Sequence, residues 1–126
     1  MSVAPSLRII CVSQSRSGAE FNVTNTTTTV INTTGYWRVI GSTRLVINNS
    51  LVPETQIILN DGATDKIVNR FYGVSSTTVQ FLGYTFDFNV KLEAGHSLKI
   101  KSLSTASFIG GSVRQIADVN GNLINP

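Results

Sequence analysis

The sequence is poor in the residues that carry most protein chemistry. It has one cysteine, Cys11, and one histidine, His96, in 126 residues. A single cysteine excludes an intrachain disulfide. In Leu7-Arg8-Ile9-Ile10-Cys11-Val12 it reads as a small core side chain, because a reactive thiol needs exposure and cationic neighbours. One histidine and one cysteine far apart make no transition-metal set. His96 stands in the turn sequence Ala94-Gly95-His96-Ser97, where a general base has no pocket to work in. Gly110-Gly111-Ser112 lacks the lysine and the following helix of a phosphate-binding loop. The seven acids include Asp61 and Asp65 around Gly62, but their spacing matches no calcium loop and turn capping accounts for them. No acid is marked as half of an opposed catalytic pair. The expectation is a protein that is not an enzyme, with no cofactor and no metal.

Long apolar runs are missing as well. Nothing approaches the roughly 20 residues of a membrane span, and Met1-Ser2-Val3-Ala4-Pro5 does not open a signal peptide. Asn22, Asn25, Asn32 and Asn48 head N-x-[ST] matches that then follow from composition alone. Charged residues make up 13% of the chain, about half the usual share. The ten basic residues are spread along it, net +3, without the dense aromatic-interleaved stripe of a nucleic-acid binder. Lys91, Lys99 and Lys101 are the nearest approach to one, and are expected to share a solvated sheet face.

What fills the sequence is Thr, Ser, Asn and alternating apolar residues. Tyr84-Thr85-Phe86-Asp87-Phe88-Asn89-Val90-Lys91-Leu92 is apolar at every second position, the period of a half-buried strand. With the turn Glu93-Ala94-Gly95-His96 and a second alternating run to Leu103 it predicts a hairpin. Further strands are expected at 7–12, 28–32, 36–40, 43–48, 55–59, 64–72, 77–82, 106–109 and 112–117. Gly41-Ser42, Asn60-Asp61-Gly62, Gly83 and Gly110-Gly111 punctuate them as turns or bulges. Many short strands at this spacing predict a single all-β domain over 1–126. Its form is a two-sheet antiparallel β-sandwich, jelly-roll-like. Residues 13–29 read as a loop or arm, giving an extended N-terminal segment. Residues 121–126 form a short C-terminal tail whose Leu123 and Ile124 suit docking, on the domain or on a neighbouring subunit.

A weakly charged β surface repels its neighbours little, which favours assembly. Tyr and Trp are enriched at interfaces, and Tyr36-Trp37 and Phe71-Tyr72 each place one ring on either face of a strand. The candidate interface residues are therefore Tyr36, Trp37, Phe71, Tyr72, Leu123 and Ile124.

The segments Gly35-Tyr36-Trp37-Arg38-Val39-Ile40-Gly41 and Asn60-Asp61-Gly62-Ala63-Thr64-Asp65-Lys66 resemble those of small β-sandwich virion proteins of tailed, cyanophage-like bacteriophages. Phe86-Asp87-Phe88, Leu92-Glu93-Ala94-Gly95-His96-Ser97-Leu98 and the ending from Ser112 to Pro126 are similar to the same group. The resemblance covers most of residues 35–126 and carries no catalytic residue. It implies a capsid decoration (cement) protein, assembled in the host cytoplasm into the virion. Such a protein sits outside the phage head and bridges subunits of the major capsid protein. It also implies a homo-oligomer, with three copies the expected number. No small-molecule substrate, membrane or direct nucleic-acid partner follows from it. The alternative is a tail-fibre or baseplate module binding a host glycan or protein.

Overall fold

The computed structural model describes residues 18–48, 53–74 and 77–123. The apolar run at 7–12, with Cys11, and Ile124 lie outside them. Eight strands form: β1 (Gly18–Thr24), β2 (Thr27–Ile31), β3 (Gly35–Ile47), β4 (Glu54–Asn60), β5 (Asp65–Tyr72), β6 (Gln80–Leu92), β7 (Ser97–Ser102) and β8 (Ser107–Ala117). They make two four-stranded sheets, ordered β1-β8-β3-β6 and β2-β7-β4-β5, antiparallel throughout. Only the β4–β5 connection stays within one sheet; the chain otherwise crosses between layers at every step. This is the expected antiparallel sandwich, jelly-roll-like in strand order.

Alternation builds the core. Val39 and Leu45 of β3 and Ile109 of β8 face Ile57 of β4 and Leu98 and Ile100 of β7, all six fully buried. Burying each such side chain contributes roughly 1.5–3 kcal/mol. A polar bridge joins the layers inside this core. Thr43 Oγ1 on β3 donates to the Phe108 carbonyl at 2.8 Å, and Thr55 Oγ1 on β4 lies 2.7 Å from Thr43 Oγ1. With the Thr43 proton committed to the carbonyl, Thr55 is the donor of the pair. At the β1–β2 corner Asn25 takes a positive φ of 52° and its N–H donates to Ser102 Oγ at 2.8 Å.

Three features differ from the sequence reading. Gly41, Gly83 and Gly110-Gly111 end no strand; they lie inside β3, β6 and β8. Gly41 and Gly111 are direct cross-strand partners. A Cβ on Gly41 would collide with the Gly110 carbonyl oxygen, and one on Gly111 with that of Ile40. Glycine here permits close backbone approach, a different use from turning the chain. Second, β6 and β7 are no hairpin. The Glu93–His96 turn exists, with the His96 N–H donating to the Glu93 carbonyl at 3.0 Å, but it carries the chain from one sheet to the other. Alternation fixes which face a strand buries and is silent about its hydrogen-bonded neighbour. Lys91 therefore lies in the opposite sheet from Lys99 and Lys101. Third, the span 13–29 holds β1 and the start of β2. Only Phe21, Val23 and Ile31 of these strands are buried, so too few apolar residues mark them.

Candidate assembly surface

The two sheets leave four strand edges. β1 and β2 share one flank of the sandwich, and β5 and β6 share the other. At the β5–β6 flank an aromatic cluster closes the gap between layers. The Phe71 ring lies 5.6 Å from Tyr84 and 5.9 Å from Phe86, and Phe88 lies 6.3 Å from Phe86. Offset and tilted rings at these distances attract beyond their simple burial. The same flank collects apolar side chains that the single chain leaves in water. Eleven large hydrophobic residues are exposed among the described residues, and seven belong to β5, β6 or their connection. They are Ile67, Val68 and Tyr72, then Val74 and Val79, then Phe81 and Tyr84; Phe81 is 72% exposed. Contiguous exposed apolar surface marks a contact site more often than a free face.

The candidate interface residues separate in space. Trp37 is corrected to the core: it is only 6% exposed, and its Nε1–H donates to the Thr33 carbonyl at 3.0 Å. Strict alternation with Val39 forces it inward. Tyr36 is consequently on the outer side of β3, half-buried, with the Lys91 ammonium 5.5 Å from its ring centre. Phe71 and Tyr72 are together on the apolar flank. Phe71 points into the aromatic cluster, and Tyr72 points out beneath the Arg70 guanidinium, 5.2 Å away. Leu123 is 85% exposed and touches the domain through a backbone bridge to Ala117. Ile124 is outside the described residues. The residues that sequence reasoning missed are Ile67, Val68 and Phe81. Two signals existed. Ile67-Val68 breaks the alternation, where β4 and β5 shift register at Ile57 and Ile58. Phe81 is out of phase with Tyr84 and Phe86, so it falls on the outer face.

The charges are mostly satisfied internally. Arg38 grips Asp87 with two bonds, of 3.0 and 2.7 Å, and Arg70 grips Glu54 at 2.8 and 3.0 Å. Hydrogen bonds from these guanidinium groups hold the Asp87 and Glu54 carboxyls below their usual range. Asp65 is lowered by the Asn60 amide and by Lys99, whose ammonium is 3.0 Å away. Asp61 is held far below it by the backbone N–H groups of Thr64 and Ala63, at 2.8 and 3.0 Å. Asp118 is lowered chiefly by the Asn122 N–H, at 2.9 Å. Glu93 meets Lys91 at 3.4 Å. Glu20, exposed on β1, makes no ion pair or hydrogen bond among the described residues. Nor do these contain a group of three or more His, Cys, Asp or Glu side chains placed to hold a metal ion. Among the described residues no helix is long and apolar enough to cross a membrane.

Two packed antiparallel sheets with open edges and one apolar flank define a jelly-roll-like β-sandwich built around its surfaces. No protein-family model matches the chain, and no curated protein does. Solved structures do match. Two crystal structures of a pentameric capsid protein isolated from metagenomic phage sequences are each 40% identical to it and cover 87% of it. The matches span 67% and 72% of those chains, with TM-scores of 0.77 and 0.76. The chain belongs to this family of phage capsid proteins, and it is a structural protein of the virion.

Proposed function

We propose that the chain is a ring-forming subunit of a phage head, five copies to a ring, that decorates the outside of the shell and binds neighbouring subunits of the major capsid protein. The observation that carries this reading is the 40% identity to a pentameric capsid protein across 87% of the chain. Five copies take the place of the three suggested by general resemblance. The surface chemistry supports the rest. Charges are few and most of them are ion-paired within the subunit, so the outer faces of both sheets offer a protein partner few unpaired charges. Tyr72, Leu123 and Ile124 belong to the contacts this reading requires, with Tyr36 half-buried on the outer face of its sheet.

Electron microscopy of intact heads tests it. Fivefold density of this size outside the shell, spanning adjacent coat subunits, is the expected result. The same density in the tail, or forming the shell lattice itself, overturns decoration. Replacing Leu123 by Ser is expected to lower occupancy on heads several-fold while changing the stability of the free protein by less than about 0.5 kcal/mol.

A further inference from the structure

Resting on the pentameric reading, a second constraint identifies the surfaces that form the ring. A closed ring with an odd number of identical subunits cannot be built from self-complementary contacts alone. Each copy must present two different patches, one to each neighbour. The sandwich offers two opposite flanks, and they are unlike in every respect that matters for such a contact.

The β5–β6 flank is bulky and apolar, with Val68 50% exposed on β5 and Phe81 projecting from β6. The β1–β2 flank is its complement. Apart from Glu20, its exposed side chains are small or uncharged, chiefly Ala19, Asn22, Thr24 and the three threonines 27–29, and it exposes no large apolar residue. Between β1 and β2 lies a cleft of about 300 Å³, lined by Phe21, Val23, Val30 and Val113 together with Ala19, Glu20, Asn22, Thr28 and Thr29. One flank supplies projecting apolar groups, and the other supplies a recess of side-chain dimensions whose lining is part apolar and part small polar groups. The edge itself gives an independent sign. Soluble proteins guard exposed strand edges with lysine, proline or inward charge. The twelve residues of β1 and β2 contain no Lys, Arg or Pro, and one charge, Glu20. The charges of β5, on Asp65, Lys66 and Arg70, are each ion-paired within the subunit, to Lys99, Asp61 and Glu54. An unguarded edge suits a strand that is covered in the assembly.

We propose that the ring closes head to tail: the β5–β6 flank of one copy seats against the β1–β2 flank of the next, with apolar side chains of the first covering the cleft between β1 and β2. The occupant of each flank is a second copy of this chain.

Two variants separate this contact from any other. Val68→Glu with Phe81→Glu spoils only the first flank; Ala19→Glu with Thr28→Glu spoils only the second. All four positions are exposed, and circular dichroism of each variant establishes that it folds. Single substitutions from either pair serve where a double variant does not fold. Native mass spectrometry is expected to show a pentamer for the unaltered chain and a monomer for each variant alone. The 1:1 mixture is expected to give a dimer that grows no further, because one good flank of each kind remains. A variant that alone still forms five-membered rings overturns the proposal, as does a variant that alone forms dimers, which signals a self-complementary contact. A mixture that stays monomeric overturns it too. An unaltered chain that is monomeric at all concentrations instead removes the pentameric reading on which the contact rests.

Discussion

Asp61 shows how one side chain sets a local structure in this protein. Its carboxylate gathers the N–H groups of Ala63 and Thr64, while Asn60 Oδ1 takes that of Gly62 at 2.8 Å, so the β4–β5 turn is capped by its own residues. The folded chain holds the carboxyl below its usual value, so ionisation favours folding. That contribution is complete above the unfolded-state value, near pH 4. It fades as the pH falls from there through the lower folded value. Asp65, Asp87, Asp118 and Glu54 are lowered in the same direction. Melting followed by circular dichroism is expected to show a near-constant midpoint at neutral pH and a decline below about pH 4. Asp61→Ala should melt lower at pH 7 and decline less steeply in acid. The Thr43–Thr55 bridge makes a second case. Thr43→Val leaves the Thr55 hydroxyl without its acceptor in the core and should cost about 2 kcal/mol in urea unfolding. Adding Thr55→Val removes the stranded donor and is expected to recover part of that loss.

Strands were legible where apolar residues alternate, and their ends were misplaced where glycine interrupts the pattern. Glycine has two uses in a β protein, turning the chain and thinning it, and a sequence shows the residue without its use. The hairpin signal at Asn60-Asp61-Gly62 was sound because Asn and Asp add their own hydrogen bonds to the turn. Gly41 and Gly111 lacked such company and proved to be paired strand positions. The two uses predict opposite responses to added bulk. Gly41→Ala or Gly111→Ala forces a methyl group into facing backbone and should cost about 2–3 kcal/mol. Gly83→Ala meets nothing nearer than the Thr43 carbonyl oxygen at 4.0 Å, and should leave stability unchanged or raise it by up to about 1 kcal/mol. Urea titrations of the three variants separate the cases. Which of the candidate interface residues are exposed was half legible for a related reason. Trp37 and Tyr36 are adjacent, and only the phase set by Val39 decides which ring is buried. The Phe71-Tyr72 pair was correctly placed on one strand, yet its neighbours Tyr84 and Phe86 come from another sheet, and no local pattern announces that juxtaposition.

At the scale of the molecule, a chain that changes sheet at six of its seven connections has few contacts it can complete locally. Almost every strand pair must wait for a distant segment, so loop closure precedes the hydrophobic gain. Refolding from urea is expected to fall in the millisecond-to-second range of sandwiches. Trp37 is the lone tryptophan and is buried, so stopped-flow fluorescence reads the step directly; a microsecond phase accounting for the whole signal would contradict this view of the topology.

The bare threonine edge along β1 and β2 has a practical corollary during synthesis. A newly folded subunit with no neighbour beside it carries a sticky margin with almost no electrostatic deterrent, and nothing restricts what it adheres to. Overproduction at high temperature should therefore send much of the material into inclusion bodies, while slow expression in the cold gives subunits time to find one another.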